Sequence, residues 1–419
     1  MNKYHHAYMA VLSFNDLGFI HENSRIKVVF LRLYYFYLSN DDLKKIGGFK
    51  VTAHSIEFDC SEKKAANKFN QLLEKGFAGL KCGINGLRAI YVHKNSGIPL
   101  IGTGVFGLID RNTNCIEVKP LTACNLDCVF CSVDAGKSSR KVTDYIIEKD
   151  YLIEEFNKLA DRKEHPVEAH IGPQGEPLLY APLVELIRDL KANPKVKIIS
   201  IDTNGTLLTE KLVDELAEAG LTRINFSLNS LDEKKCSFMA GSGYNLRHVL
   251  RMIEYASKKL NVLIAPVIVP SMNDGELRGL VEIGKKVKSV KSTTSVKSEF
   301  PVLGIQNYLN YKRGRNPVKQ RSWEEFFEML KPFEKDSGLK LRLCKEDFGI
   351  KHDAKLEKPF DKKQVVKAKI VCEGPLKEEK IGVYKNRSII IEKASKVMAN
   401  SLVNVRVIRS KHNIYRAVL

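Results

Sequence analysis

The sequence predicts an α/β fold, in which a partial (β/α)6 barrel follows an N-terminal α+β accessory domain and precedes a small C-terminal β-barrel. From about residue 113 to residue 345, short β-branched runs alternate with amphipathic helical stretches, which indicates parallel strands joined by helices. Near the C-terminus, five short strand-like runs stand within 60 residues, a spacing typical of a small barrel. The predicted domains are residues 1–112, 113–350 and 362–419, and 419 residues leave room for all three.

The strands of the central domain are apolar enough for a parallel sheet that is covered by helices on one side. We predict them at Cys115–Pro120, Glu168–Gly172, Val196–Asp202, Arg223–Leu228, Val262–Val269 and about Val296–Leu303. Helices are predicted between them at Ala181–Lys191, Glu210–Ala219, Leu246–Leu260 and Glu276–Val287. In barrels of this kind the chemistry gathers at the C-terminal ends of the strands.

Three cysteines directly after the first strand carry the strongest chemical signal. Cys124, Cys128 and Cys131 have a C-x3-C-x2-C spacing, so one tight loop can place three thiolates around one face of an iron–sulfur cluster. Thiolate is the ligand such clusters prefer, and three protein ligands on a cubane leave one iron open. A zinc site, a disulfide pair and ordinary buried cysteines are the alternatives. No second close pair of zinc ligands follows, the nine cysteines are too irregular for a disulfide framework, and no apolar signal segment opens the chain.

Further motifs stand at the ends of later strands. They are Gly172-Pro173-Gln174-Gly175-Glu176-Pro177, Thr203-Asn204-Gly205, and Ser227 with Asn229. In this order after the cysteine triplet, they resemble the radical S-adenosylmethionine (SAM) superfamily. Gln174 departs from the family's Gly-Gly-Glu-Pro motif, because it stands where the first glycine usually is.

The resemblance implies the cofactors and their ligands. Cys124, Cys128 and Cys131 would bind a [4Fe–4S] cluster. SAM would contact a set of residues around it, namely Phe130, Gly175, Glu176, Ser227 and Asn229. The superfamily chemistry is reductive cleavage of SAM to a 5′-deoxyadenosyl radical, which abstracts hydrogen from an unactivated carbon, while the protein supplies position and excludes water. An electron donor such as ferredoxin or flavodoxin is therefore an expected partner.

Positive charge is concentrated in two segments. Residues 285–321 contain 10 Lys/Arg against 1 acidic residue, and residues 362–419 contain 14 against 4, so these two segments account for the whole net charge of +19. Localised positive charge favours a polyanion partner, here RNA (tRNA or rRNA), because neutralised phosphates release counterions. A lysine-rich composition adapted to heat or salt would raise the acidic content too.

The C-terminal segment sharpens this expectation. Its strands are predicted at Val365–Cys372, Lys380–Lys385, Ser388–Glu392, Leu402–Ile408 and Tyr415–Leu419. The run from Val403 to Lys411, followed by Tyr415-Arg416-Ala417-Val418, resembles the TRAM domain, an RNA-binding β-barrel; a generic basic OB-like barrel is the alternative and predicts the same partner. Candidate RNA contacts are Arg406, Arg409 and Lys411 here, and Lys312, Arg313 and Arg315 after the sixth strand.

The remaining signals are less specific. The aromatic run Phe30–Tyr37 favours a buried element over a base-stacking surface, and Ser61–Lys75 predicts an amphipathic helix. Cys60, Cys82 and Cys115 invite comparison with the second cluster of methylthiotransferases, although small buried hydrophobes are the usual fate of such residues. Cys344 is a candidate catalytic thiol by analogy with radical SAM methylases of RNA, but nothing around it argues for a lowered pKa.

Three functions compete at this level. The first is a radical SAM enzyme that modifies an RNA base, by methylation, methylthiolation or another insertion. The second is a radical SAM enzyme acting on a protein or small metabolite, with the basic domain used only for localisation. The third is an RNA-binding protein with a passive cluster, against which the SAM-pocket residues argue. No apolar run reaches the roughly 18 to 20 residues of a membrane helix, so a soluble protein without membrane contact is expected. The oxygen sensitivity of such a cluster implies a reducing cytoplasm.

Overall fold

The chain folds as two compact units. The computed structural model describes residues 9–172, 174–293 and 300–419, so Pro173 and residues 296–299 of the predicted sixth strand lie outside the described residues. The first unit comprises the residues up to Tyr91 together with Val142–Ile146, and the second comprises Val92–Lys141 and Ile147–Leu419. The predicted boundary at residue 112 therefore falls inside the second unit. None of the described helices combines the length and apolar character that crossing a membrane requires.

The first unit is an α+β fold with two antiparallel sheets. Its elements are β1 (Ala10–Ser13), β2 (Leu17–Glu22), β3 (Arg25–Phe30), β4 (Tyr34–Ser39), α1 (Asn40–Lys44), β5 (Phe49–Val51), β6 (Ser55–Phe58), α2 (Glu62–Ala78), β7 (Lys81–Cys82) and β8 (Arg88–Val92). The predicted amphipathic helix is found as α2, whose Phe69 packs against Phe19 and Phe58. In the aromatic run, alternation buries Tyr34 and Phe36 and leaves Tyr37 partly exposed.

The second unit is built on a six-stranded sheet. The next strands in the chain are β9 (Gly107–Asp110), β10 (Cys115–Lys119), β11 (Thr143–Ile147), β12 (Val167–Ile171), β13 (Val196–Thr203), β14 (Arg223–Phe226), β15 (Asn261–Ile264), β16 (Val267–Ile268) and β17 (Gln306–Asn307). The sheet order is β15-β14-β13-β12-β10-β9, and β11 forms an edge of a sheet of the first unit. Strands β10, β12, β13, β14 and β15 are parallel, whereas the unpredicted edge strand β9 is antiparallel to β10.

The predicted fifth and sixth strands differ from the observed ones. The run Val262–Val269 is interrupted at Ala265-Pro266, which separates β15 from β16. Beyond β15, the sheet continues as an isolated parallel bridge between Ile264 and Leu303 and as the short parallel pair β16–β17. The described residues thus form five parallel strands with a short continuation.

Helices alternate with these strands along the chain, and several of them pack against the sheet. They are α3 (Lys149–Ala160), α4 (Leu183–Ala192), α5 (Glu210–Glu218), α6 (Glu233–Ala240), α7 (Leu246–Ser257), α8 (Leu277–Thr293) and α9 (Trp323–Ser337). The four predicted helices correspond to α4, α5, α7 and α8. In α4 the predicted apolar stripe, from Leu183 to Leu190, is buried.

The C-terminal segment closes into a five-stranded barrel. Its strands are β18 (Val365–Glu373), β19 (Lys380–Tyr384), β20 (Arg387–Glu392), β21 (Leu402–Lys411) and β22 (Ile414–Val418), in the order β18-β19-β20-β22-β21. All five predicted strands are present. Alternate residues such as Ile370, Ile391 and Val407 fill the interior, and Tyr415 packs against Phe360 just before the barrel.

The barrel is hydrogen-bonded to the segment that leads into the central sheet. Ser388 donates its backbone N–H to the carbonyl of Ile101 (2.9 Å) and its hydroxyl to the carbonyl of Pro99 (2.6 Å). The N–H of Tyr415 donates to the carbonyl of Gly102 (2.7 Å). These backbone contacts fix the barrel against the edge of the sheet that carries β9.

Candidate active site

The three cysteines line one cavity. The loop after β10 places Cys124, Cys128 and Cys131 on the wall of a cavity of about 240 Å³ at the C-terminal ends of the parallel strands. The five residues predicted to contact SAM line the same cavity, namely Phe130, Gly175, Glu176, Ser227 and Asn229. The structure therefore brings together eight residues that are spread over more than a hundred positions of the sequence.

Two close backbone approaches hold the cysteine loop from opposite sides. Gly175 has φ +69°, and a Cβ there would lie 2.1 Å from the carbonyl oxygen of Ala123, so only glycine fits. Gly241, with φ +60°, approaches the carbonyl of Asp127 in the same way. The N–H of Glu176 donates to the carbonyl of Ala123 (2.8 Å), and that of Asp127 donates to the carbonyl of Ala240 (2.9 Å).

Arg315 binds the cysteine loop through its whole guanidinium group. Its Nε and Nη2 donate to carboxylate oxygens of Asp134 (2.8 Å) and Asp127 (2.7 Å). The remaining N–H groups donate to three loop carbonyls, those of Asp127 (2.7 Å), Cys128 (3.3 Å) and Ala135 (3.1 Å). All five donors are thereby used. The expectation that Arg315 contacts RNA is therefore corrected, because its hydrogen bonds commit it to the loop.

The three cysteines of the loop are partly buried. Burial raises the pKa of the Cys128 thiol to about 12 and that of Cys124 well above its usual value. Because the ligand form of cysteine is the thiolate, cluster binding would release a proton from each of these thiols. The N–H of Ala135 lies 3.3 Å from Cys131 Sγ and can donate to it.

Glu176 is a buried carboxylate on the wall of the cavity. Its Oε1 accepts from the Thr203 hydroxyl (2.7 Å) and the Leu178 N–H (3.1 Å), and its Oε2 accepts from the Asn204 N–H (2.9 Å). Burial raises its pKa to about 7, against the lowering effect of these hydrogen bonds. An ammonium group placed against it would therefore be attracted in a site of low dielectric.

A row of titratable side chains on the other face of the sheet was not predicted. Glu117, His170, Ser200 and Arg223 are register partners on four neighbouring strands, so their side chains share one face. His170 contacts the hydroxyl of Ser200 through Nδ1 (2.8 Å) and a carboxylate oxygen of Asp202 through Nε2 (3.1 Å). Asp202 itself lines the cavity of the cysteines. The polar row therefore leads directly into that cavity.

The charge state of this row follows from its pairing. Burial lowers the pKa of His170, but the neighbouring carboxylates of Asp202, Glu168 and Glu117 together outweigh burial and raise that pKa to about 9. His170 is thus an imidazolium at neutral pH, and Asp202, whose pKa it helps to lower, is ionised. This row could have been noticed in the sequence, since Glu117, His170 and Asp202 interrupt strands that are otherwise largely apolar.

Comparison with known proteins agrees with this arrangement. The family model of the Radical SAM superfamily matches residues 118–283, from β10 into α8. A protein of Methanocaldococcus jannaschii named "Uncharacterized protein MJ0103" is 40% identical over 360 residues, which are 81% of this chain and 82% of that protein. The chain belongs to the Radical SAM superfamily.

Two further similarities complete the comparison. A protein of Pyrococcus abyssi named "Probable GTP 3′,8-cyclase" is 31% identical over 238 residues, which cover 55% of this chain and 68% of that protein. Among solved structures, Streptococcus suis SuiB bound to S-adenosylmethionine is 13% identical with a TM-score of 0.42, and the match covers 79% of this chain and 72% of that one.

The cofactors of the Radical SAM superfamily, to which the chain belongs, are a [4Fe–4S] cluster and SAM. The site fits them, because three thiols of one loop and a buried carboxylate face one cavity. Among the described residues no three His, Cys, Asp or Glu side chains are grouped around a single ion. A cubane cluster requires a wider spacing of its ligands, since each thiolate binds a separate iron. Cys124, Cys128 and Cys131 would hold the cluster, which supplies the electron that cleaves SAM, and Glu176 would orient the SAM amino group.

Asn229 is held in a fixed orientation beside this pocket. Its side-chain oxygen accepts from the N–H of Val267 (2.8 Å), and its amide N–H donates to the carbonyl of Ser227 (3.3 Å). Phe130 packs beside Val267 against the cluster of Met239, Val269 and Tyr308. The chain thus provides a polar wall and an aromatic wall to the same pocket.

Among the other cysteines, Cys236 lines the cavity, whereas Cys82, Cys115 and Cys344 are not among its described lining residues. Cys344 is exposed, and hydrogen bonds to Glu346 and Asp347 raise the pKa of its thiol, which is the opposite of what a nucleophile needs. It is not among the described residues that line the cavity. Cys82 and Cys115 lie on strands of two different sheets, and burial raises the pKa of both thiols.

The other basic candidates are distributed over the second unit. Arg313 pairs with the buried Glu379 at the start of β19, and Lys312 lies 3.5 Å from Glu392 while remaining largely exposed. These two residues therefore connect the segment beside the cysteine loop to the barrel. Arg406, Arg409 and Lys411 are exposed on β21.

Proposed function

We propose that this radical SAM enzyme modifies a base in RNA, either tRNA or rRNA, by methylation, methylthiolation or another substituent insertion. The observation that carries the proposal is an uncompensated basic strip on the C-terminal barrel. Lys367 and Lys369 on β18 and Arg406 on β21 point outward on neighbouring strands. Within the described part of the chain, none of the three has an ion pair. A strip of this kind suits a phosphate backbone.

The position of the barrel supports the same proposal. The barrel belongs to the same compact unit as the cysteine loop and is hydrogen-bonded to residues 99–102. Arg313, which pairs with Glu379 of the barrel, stands two residues before Arg315, whose guanidinium group binds the cysteine loop. RNA held on the barrel would therefore keep a defined distance from the SAM pocket, which a domain on a flexible linker would not provide.

The test is mass spectrometry of RNA nucleosides from a strain that lacks this protein. We expect one modified nucleoside to be missing, and to return when the natural protein is supplied. It should not return with Cys128→Ala, which removes a predicted cluster ligand. It should return only in part with Lys367→Gln/Lys369→Gln/Arg406→Gln, which leaves the cavity intact. An unchanged nucleoside profile in the deletion strain would overturn the proposal.

A second candidate function is favoured by one comparison. The similarity to a protein named "Probable GTP 3′,8-cyclase" points to a free nucleotide as substrate, with the barrel serving another purpose. Reconstituted enzyme incubated with GTP, SAM and a reductant should then consume GTP without RNA. Consumption of GTP, followed by chromatography and mass spectrometry, would favour this candidate over RNA modification.

A further inference from the structure

The tip of the β21–β22 hairpin is fixed against the edge of the central sheet. His412 and Asn413 both have positive φ (+58° and +53°), as a two-residue hairpin turn of the primed type requires. The side-chain amide of Asn413 donates to the carbonyl of Asp110 (2.9 Å), the last residue of β9. Asp110 is itself buried and pairs with Lys163 (2.8 Å). The hairpin tip is therefore anchored to the residue that directly precedes Arg111.

This anchoring brings four basic side chains together from two distant segments. They are Arg111 after β9 and Arg409, Lys411 and His412 of the hairpin, and we refer to them as the edge cation site. Burial and the neighbouring charges of Arg111 and Arg416 lower the pKa of Arg409. The pKa of His412 is lowered by burial and by the charges of Arg111, Lys411 and Arg409, with Glu117 acting in the opposite direction. These mutual effects place the groups within electrostatic reach of one another.

The edge cation site has little internal compensation. Arg111 bonds Glu117 through Nε, which leaves its two Nη groups available to another acceptor. Over the described residues, no carboxylate lies within ion-pair distance of Arg409 or Lys411. Crowded like charges that are partly desolvated are unfavourable unless an anion binds between them. Guanidinium groups suit phosphate in particular, because their planar fork matches two phosphate oxygens.

We propose that Arg111, Arg409, Lys411 and His412 bind a phosphate group of the substrate. The inference rests on the proposed function in one respect, since it takes the substrate to be a nucleotide, either within RNA or free. It goes further by assigning a site to one phosphate and by giving the barrel a part in substrate placement.

The polar row of the sheet connects this site to the SAM pocket. Arg111 bonds Glu117 on β10, and Glu117 is the register partner of His170 on β12. His170 in turn contacts Asp202 on β13, which lines the cysteine cavity. Neighbouring strands lie about 4.8 Å apart, so β10 and β13 are separated by roughly 10 Å. The row is therefore a series of neighbouring polar side chains that runs from Arg111 to the wall of the cavity.

The test measures binding to the full-length, cluster-loaded protein under anaerobic conditions. The variant is Arg409→Gln/Lys411→Gln, in which both replaced side chains are exposed. The matched control is Lys377→Gln/Lys396→Gln, which removes two exposed charges from other loops of the same barrel. The probes are fluorescently labelled tRNA and, separately, GTP, each titrated at several salt concentrations. Iron content and thermal unfolding of all three proteins establish that fold and cluster are intact.

The two probes separate this inference from the proposed function. If the phosphate belongs to RNA, the variant should bind tRNA about tenfold or more weakly and lose about two units of the log–log salt slope, while the control changes little. If the phosphate belongs to a free nucleotide, only GTP binding should weaken, which keeps the site but overturns RNA as substrate. If variant and control bind both probes alike, the edge cation site is not a phosphate site, whatever the nucleoside analysis of the deletion strain shows.

Discussion

Replacing Arg315 with lysine should loosen the cysteine loop without removing its positive partner. The guanidinium group makes five hydrogen bonds to the loop, two to the carboxylates of Asp127 and Asp134 and three to carbonyls. A lysine ammonium has three donors and no planar fork, so at least two of these bonds must be lost. In Arg315→Ala, by contrast, the Asp134 carboxylate, which is 3% exposed, would keep only Arg140 as a cationic partner among the described residues.

The size of the effect follows from the bonds that disappear. A hydrogen bond with a charged partner contributes about 1.5 kcal/mol or more, so losing two costs about 3 kcal/mol. At about 1.4 kcal/mol per factor of ten, the open form of the loop would become roughly 100-fold more populated. Arg315→Ala should cost more, about 3–5 kcal/mol, because it leaves a buried carboxylate with part of its partners removed.

The assay is the rate at which an iron chelator removes iron from the anaerobically reconstituted protein. We expect Arg315→Lys to release iron between about tenfold and 100-fold faster than the natural protein, since the ligands become accessible when the loop opens. Arg321→Lys is the matched control, because Arg321 lies six residues further along and pairs with Asp274, away from the loop. Equal rates of iron release for Arg315→Lys and Arg321→Lys would refute the conclusion that Arg315 stabilises the cysteine loop.

Three further outcomes are expected. Glu176→Gln should weaken SAM binding about tenfold or more in equilibrium titration, because the amide carries no charge and turns an N–H towards groups that already donate; unchanged affinity would argue against a contact with the SAM amino group. Gly175→Ala should lower iron content after reconstitution, since its Cβ would lie 2.1 Å from the Ala123 carbonyl oxygen; a normal iron content would contradict this. The affinity for tRNA should rise as pH falls from about 7.5 to about 6. The pKa of His412 is lowered in the free protein and must increase when a phosphate binds, so binding takes up a proton. His412→Asn should abolish this pH dependence.

The sequence was sufficient where one pattern determines one element. Apolar runs located β10, β12, β13 and β14 to within two residues, and helical periodicity located α4, α5, α7 and α8. Both predictions succeed because an element with one buried face has apolar residues at a regular spacing in the sequence. The antiparallel edge strand β9 was missed. Its pairing with β10 depends on the chain turning back after Asp110, and no local sequence pattern predicts that turn.

The residues that line the cysteine cavity could be predicted from the sequence for a related reason. Cys124, Cys128 and Cys131 are close in sequence, and the other predicted residues stand at strand ends, which a parallel sheet necessarily gathers at one edge. Arg315 was assigned to RNA because charge alone does not reveal its partner. Arg315 meets Asp127 and Asp134 only after folding has brought segments about 180 residues apart into contact.

The polar face of the sheet links these observations. Five parallel strands could fill their concave side with apolar residues, and each buried charge placed there instead must be compensated. Glu168 and Arg223 form a buried ion pair, and His170 and Asp202 form a second pair that reaches the SAM pocket. Replacing such pairs by apolar residues of similar volume is often neutral or stabilising, so stability alone does not account for them. The charged row instead provides a polar wall beside the cysteine cavity, which suits the nucleotide substrate proposed above.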